Sequence, residues 1–309
     1  MKTGIENVRL EWPLCALCGK DVPYRVLHEF PPFAVVRCSV CGLTFLRPRP
    51  VEEAALALYQ DSGYYESDET GHGYDEYLEV RQNWVRTFER RLRRISRFKP
   101  TGRVLDVGCG PGFFLEVAAD WGYDAWGIDP SAYAVELARR RHGERISADV
   151  LETAEFEAAS FDLLVAQDAF EHVYSPLRFL EAASRLLRPD GILAITTPDA
   201  TSLLARVSGR RWVSFKIPEH VYYWSPATIR RALEPAFETM EISSAGQYAT
   251  AGFLLRRLLR LGTRRPALLC ELIDLFNRVS LYANNGSLTV IAAKRRSASS
   301  PGIVTGRPK

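Results

Sequence analysis

The stretch Val104-Leu105-Asp106-Val107-Gly108-Cys109-Gly110-Pro111-Gly112 decides the architecture. An apolar strand carries an acid near its end and opens into a turn with three glycines, after which a helical pattern runs from about 112. Glycine admits backbone conformations closed to other residues, so this turn lets bare main chain approach a ligand at the carboxyl edge of a sheet. A pyrophosphate-binding turn would place a further glycine where this chain has Phe113, followed by Phe114, so that fit is poor. Asp106 inside the strand end suits a cationic ligand better than an anionic one.

Outward from this run, strands and helices alternate. Strands are expected over Val104–Val107, Ala125–Ile128, Arg145–Ala148, Phe161–Ala166 and Ile192–Thr196. Helices are expected from 112, over 132–142 behind an N-cap at Ser131, and from Ser175-Pro176 to Leu187. That alternation predicts an α/β fold, a parallel sheet with helices on both faces. Thr239–Ser244 and Ser287–Ala293 read as late strands, with Asn284-Asn285-Gly286 as a turn before the last. Upstream, 51–62 and about 75–98 read as helices, the second with Val80, Trp84, Phe88, Leu92 and Ile95 on one stripe. The expected units are a small ribbon at 1–50, a helical linker or lid at 51–100, the α/β domain at 101–295 and a disordered tail at 296–309.

Acids recur at the expected strand ends. Asp129, 23 residues after Asp106, can accept both hydroxyls of a ribose; the alternative is an acid at the start of the next helix. Asp149-Val150 can place a carboxylate near an adenine amino group, or form a surface turn. Gln167-Asp168 would line the same crevice at the switch point of the sheet.

The 309 residues can hold one large domain or two modest ones, and 47% hydrophobic with 25% charged residues is a globular composition. A formal charge of +3 gives no argument for nucleic acid. Arginine clusters near 81–97, 206–211, 230–231 and 256–265 read as solvated helix faces, or else as a patch for an anionic substrate or membrane surface. Met1–Asn7 has no apolar signal region and no stretch is long and apolar enough to span a bilayer, so the expectation is a cytoplasmic protein with reduced cysteines.

Four of the six cysteines form a pattern: Cys15-x2-Cys18, then nineteen residues, then Cys38-x2-Cys41, each pair followed by glycine. Two such knuckles can close a tetrahedral thiolate site around Zn2+, with a disulfide pair as the alternative. Four protein ligands leave no open coordination position, so the zinc would be structural. Cys109 and Cys270 read as packing residues.

As a set, Val104–Phe114, Gly127-Ile128-Asp129-Pro130-Ser131, the post-strand run Glu171-His172-Val173 and Leu187-Arg188-Pro189-Asp190-Gly191-Ile192-Leu193 resemble class I S-adenosylmethionine-dependent methyltransferases. The resemblance covers about 100–295. It implies a Rossmann-like seven-stranded sheet with an antiparallel last strand. It also implies that Gly108, Gly110 and Gly112 approach the methionine part of S-adenosylmethionine, that Asp129 with Pro130 borders the ribose, and that Asp149 and Val150 border the adenine, with Asp106 and Gln167 in the same crevice.

Methyl transfer from a sulfonium needs alignment, exclusion of water and, for a hydroxyl or acidic C–H acceptor, a base within reach. The segment Pro218-Glu219-His220-Val221-Tyr222-Tyr223-Trp224, after the fifth strand, offers Glu219 and His220 as that acid/base pair, with His172 as a further candidate. The alternative is that His220 packs and bonds a backbone carbonyl. Tyr222, Tyr223 and Trp224 are expected in the core, and Ser225-Pro226 as a helix start.

The paired cysteines with Glu219-His220 also resemble sugar C-methyltransferases of deoxysugar biosynthesis, whose tyrosine-bearing hinge is similar to Gly63-Tyr64-Tyr65-Glu66-Ser67. Two departures stand out: no counterpart of their further C-terminal domain, and Ile217 where they carry an active-site tyrosine. O-methylation of a sugar, glycan, lipid-linked saccharide or secondary metabolite therefore fits at least as well. The competing classes are an RNA-binding or RNA-modifying protein gripping RNA with the ribbon, where few aromatics accompany Lys20, Arg25 and Arg37, and a non-catalytic adenosylmethionine-binding module. The apolar, basic stretch within 250–281 is read as a lid or homodimer surface, or as a peripheral membrane contact.

Overall fold

The computed structural model describes residues 8–60, 81–252, 255, 276 and 279–295. In chain order the elements are β1 (Leu10–Glu11), β2 (Tyr24–Phe30), β3 (Phe33–Cys38), β4 (Thr44–Leu46), β5 (Arg49–Pro50), α1 (Glu52–Gln60), α2 (Arg81–Ile95), β6 (Arg103–Val107), α3 (Phe113–Asp120), β7 (Asp124–Asp129), α4 (Ala132–His142), β8 (Ile146–Ala148), β9 (Phe161–Gln167), α5 (Pro176–Leu186), β10 (Leu187–Pro198), α6 (Leu203–Ser208), β11 (Tyr222–Tyr223), α7 (Pro226–Leu233), β12 (Phe237–Thr250) and β13 (Ser280–Lys294).

The large sheet has seven strands in the order β12-β13-β10-β9-β6-β7-β8, all parallel except β13, which runs antiparallel to both neighbours. This is the expected Rossmann-like sheet. The chain winds from β6 out to β8 and returns as β9 on the other side of β6, so the switch point lies at the carboxyl ends of β6 and β9.

Period-two alternation builds a core on each face. Leu105, Leu164, Leu193 and Ile195 pack with Phe170, Phe179 and Trp224 on one side. Val104, Leu163, Val165 and Ala194 pack with Phe88, Leu92 and Phe114 on the other. Because both faces are covered, β9 is buried along nearly its whole length. The stripe expected upstream holds on α2, where Phe88, Leu92 and Ile95 are buried and Trp84 packs beside them; Val80 lies outside the described residues.

The N-terminal module is a β-ribbon whose four-stranded sheet runs β11-β4-β3-β2. Its fourth strand, β11, comes from the loop after β10, so the ribbon sheet is completed by the segment that carries His220. Cys15, Val36, Cys38 and Phe45 share one core with the residues under the large sheet. Tyr222, Tyr223 and Trp224 are buried, as expected, and Ser225 starts α7 with a capping box closed by Thr228.

Two local expectations change. Asn284-Asn285-Gly286 is not a turn before the last strand but lies inside β13, which starts at Ser280. The β12–β13 register slips between Ala245 and Gln247, and Gly286 absorbs the distortion at φ 79° while Asn284 Oδ1 accepts from its N–H at 2.9 Å. Arg145 belongs to a short 3-10 turn rather than to β8. The hinge-like 63–67 segment, Cys270, the tail and most of the 250–281 stretch lie outside the described residues.

Candidate active site

The glycine turn sits at the carboxyl end of β6. The Gly108 and Cys109 N–H groups bond Ile128 O at 2.8 and 3.0 Å, tying the turn to β7. Gly108 has φ 76°, and a Cβ there would lie 2.8 Å from Ala169 Cβ, on the loop after β9. The bare main chain therefore sets how closely the two sides of the switch point approach.

Asp129 closes the cradle from the end of β7. Its two oxygens accept from the Gly110 and Ser131 N–H groups, each at 2.9 Å. Burial pushes its carboxyl up to about 6, against the pull of those two N–H groups. Asp106, buried alongside, accepts no hydrogen bond from a described side chain or turn. Burial, then the charge of Asp129, holds its carboxyl well above the usual range. Two adjacent buried carboxyl groups, neither paired with a described lysine or arginine, favour a positively charged ligand.

Asp149 makes a local turn, accepting from Val150 N at 2.8 Å and Thr153 Oγ1 at 2.6 Å. Gln167 and Asp168, at the end of β9, are both held by Arg91 of α2, whose Nη1 lies 3.4 Å from Gln167 Oε1 and 2.9 Å from Asp168 Oδ2.

A second cluster joins two loops. The 3-10 turn Phe170–His172 follows β9, and the 219–220 loop precedes β11. His172 and His220 meet edge to face, with ring centroids 4.6 Å apart, and His172 Nδ1 lies 3.1 Å from Glu219 O. Glu171 is 2% exposed and accepts from Thr197 Oγ1 at 2.8 Å, with its other oxygen 4.0 Å from His220 Nε2. Burial, then Asp168, pushes Glu171 up to about 8. Burial, with His172 and Lys216 adding, holds His220 well below 6.5, and His172 falls to about 4, mainly through burial. At neutral pH the arrangement is thus a protonated carboxyl beside two neutral imidazoles, each with a lone pair able to take a proton.

A family model described as a methyltransferase domain matches residues 74–236, more than half of the chain. The chain belongs to the methyltransferase-domain family. Similar curated proteins include the ubiquinone biosynthesis O-methyltransferase of Methylocella silvestris, 32% identical over 146 residues, 43% of this chain and 57% of that protein. The protein of the same name in Thiobacillus denitrificans is 30% identical over 168 residues, 50% of this chain and 72% of that one. The chain thus spans little more than half of the first of these relatives. Among solved structures, an S-adenosylmethionine-dependent methyltransferase from Archaeoglobus fulgidus is 22% identical, with a TM-score of 0.50 over 71% of this chain and 99% of that one. The cyclase SpnF is 19% identical with the same TM-score of 0.50, over 81% of this chain and 98% of its own. At such identities the likeness is one of fold, and a cyclase built on it shows that the fold alone does not choose the reaction.

This methyltransferase-domain chain carries its candidate metal site far from the β6 turn in sequence. The sulfurs of Cys15, Cys18, Cys38 and Cys41 all lie within 4.8 Å of one another, with Cys15–Cys41 at 3.4 Å and Cys18–Cys38 at 3.8 Å. Tetrahedral zinc with bonds of about 2.3 Å places sulfurs roughly 3.8 Å apart, so the donor set fits that ion. Burial raises the Cys15 and Cys41 thiols, whereas at Cys38 the Cys41 and Val40 N–H groups outweigh burial and bring the thiol down to about 7.

Arg91, Thr197 and Glu171 are not among the site residues that the sequence alone points to. Glu171 was within the run that carried the resemblance, and Arg91 within the 81–97 arginine cluster. Neither pattern shows that the two side chains turn inward.

Proposed function

We propose that this chain is an S-adenosylmethionine-dependent methyltransferase acting on a hydroxyl group of a small molecule, with a sugar, glycan or secondary metabolite as the acceptor class. The observation that carries the reading is the neutral His220–His172–Glu171 cluster, joined through the loop after β9 to the carboxylate-lined glycine turn. The naming of the curated relatives as O-methyltransferases supports a hydroxyl acceptor.

The cofactor, when bound, supplies an electrophilic methyl group on a sulfonium. Asp106 would favour its cationic methionine end, Gly108, Gly110 and Gly112 would offer it bare main chain, and Asp129 would accept from the ribose hydroxyls. Pro130, Asp149, Val150 and Gln167 border the rest. His220 takes the acceptor proton at its imidazole, a role open to it because burial keeps it neutral at working pH. Glu219 fixes His172 through its main-chain carbonyl. Glu171 lies 4.0 Å from His220 Nε2 as a neutral carboxyl, which avoids an uncompensated buried charge. Cys15, Cys18, Cys38 and Cys41 would hold a structural zinc.

The test is a labelled methyl-transfer screen over phenols, free and nucleotide-linked sugars and glycolipids, paired with calorimetry of the cofactor. Asp129→Ala is expected to lose cofactor binding, and His220→Gln to lose turnover by a factor of about 100 or more while keeping cofactor affinity. Unchanged turnover in the second variant would remove His220 as the base.

A further inference from the structure

A cleft of about 360 Å³ opens between the ribbon sheet and α6, away from the glycine turn. Arg25, His28 and Arg37 line it from the sheet, and Arg206, Trp212 and Phe215 from the segment after β10. Among the described residues, no aspartate or glutamate lines it.

The charge arrangement runs against fold stability. Arg25 and Arg37 are directly opposite across β2 and β3, a pairing of like charges that weakens a two-stranded ribbon. Neither Arg25 nor Arg206 forms an ion pair with a described residue, and Arg37 has only a hydroxyl partner, Thr44 Oγ1, at 3.3 Å. The neighbouring Arg210 adds a further positive charge; burial, then this charge, lowers the pKa of His28. A surface that gathers arginines without carboxylates is complementary to a polyanion. Guanidinium groups fork onto phosphate oxygens in pairs, and a concave site with aromatic walls selects a small ligand over a flat surface.

We propose that this cleft binds the phosphoryl group of a small molecule, with a diphosphate as the preferred class. The cross-strand row continues from Arg25 through Arg37 and Thr44 to Tyr223, whose ring lies 6.5 Å from that of His220. Occupancy of the cleft is therefore mechanically joined to the loop carrying His220. The site is separate from the methyl-donor cradle, so it stands or falls independently of the activity proposed above.

Inorganic pyrophosphate titrated into the full chain by calorimetry is the probe. It should bind, with affinity falling as salt rises, and citrate should bind more weakly. Arg37→Gln and, separately, Arg206→Gln should each weaken pyrophosphate by about tenfold or more. Arg206 is exposed on α6, so its variant keeps the fold even if the β3 substitution does not. S-adenosylmethionine affinity, measured in parallel, should stay unchanged in both. Leu203 and Val207, 75% and 78% exposed on α6, make phosphatidylglycerol vesicles the necessary second arm. Vesicle binding without pyrophosphate binding, no binding of either, or pyrophosphate binding that survives both substitutions would overturn the proposal.

Discussion

Glu171 shows how much a single buried side chain depends on its protonation. Its carboxyl titrates near 8 in the folded protein, against an ordinary 4.5, chiefly because burial penalises the charge. The unfolded chain therefore gives up this proton first. The stability Glu171 contributes is full below about pH 4.5 and is lost as pH rises through 8. Glu171→Gln stays neutral throughout and keeps an oxygen to accept from Thr197. Chemical unfolding followed over this pH range should show the wild type losing stability relative to the variant as pH rises. Parallel curves would mean that Glu171 ionises normally. Glu171 lies in a run whose resemblance was readable, but residue type alone gives no sign of a carboxyl 2% exposed against an imidazole.

At the scale of elements, the strand and helix pattern was largely legible, because both signals are local. Short, nearly continuous apolar runs built β6, β9 and β10, and Ser131 caps α4 by accepting from Ala134 N at 3.3 Å. The Asn284-Asn285-Gly286 run misled because the same residue types that make turns also make bulges, and only pairing with β12 distinguishes the two. Gly286 is there for two physical reasons. Its φ is 79°, and a Cβ would lie 2.8 Å from Ser202 Oγ. Gly286→Ala is expected to destabilise by about 1–2 kcal/mol, read as a lower denaturant midpoint with an unchanged slope. A wild-type midpoint would show that the bulge tolerates a side chain. β11 gave the weakest signal of all, two residues that form a strand only because β4 is beside them.

For the whole molecule, the ribbon and the large sheet are mechanically linked. β11 pairs with β4 two residues after His220, and Phe170 stacks on Trp224 with centroids 4.8 Å apart. Arg49 of the ribbon lies over the Tyr174 ring at 4.2 Å, and Tyr174 donates to Pro50 O at 2.9 Å. Metal content near one zinc per chain is expected. Replacing both Cys38 and Cys41 with Ser should release it, lower the melting temperature and reduce methyl transfer while leaving S-adenosylmethionine affinity nearly intact. The strands that carry the cofactor cradle, β6 and β7, lie inside the large sheet and pair with no strand of the ribbon. A metal-free protein with wild-type stability would remove zinc from the account.

The sequence by itself determined the α/β winding, the glycine turn with Asp106 and Asp129 at strand ends, and the spacing of the four cysteines, because each is set by neighbours along the chain. Tertiary structure alone decided that Glu171, His172 and His220 share one pocket, that Arg91 turns inward onto Asp168, and that the ribbon takes its last strand from the His220 loop. Those contacts join residues tens to hundreds of positions apart. What fixes them is burial of apolar surface between the sheet and the ribbon, and local sequence carries no mark of which distant partner that burial will bring.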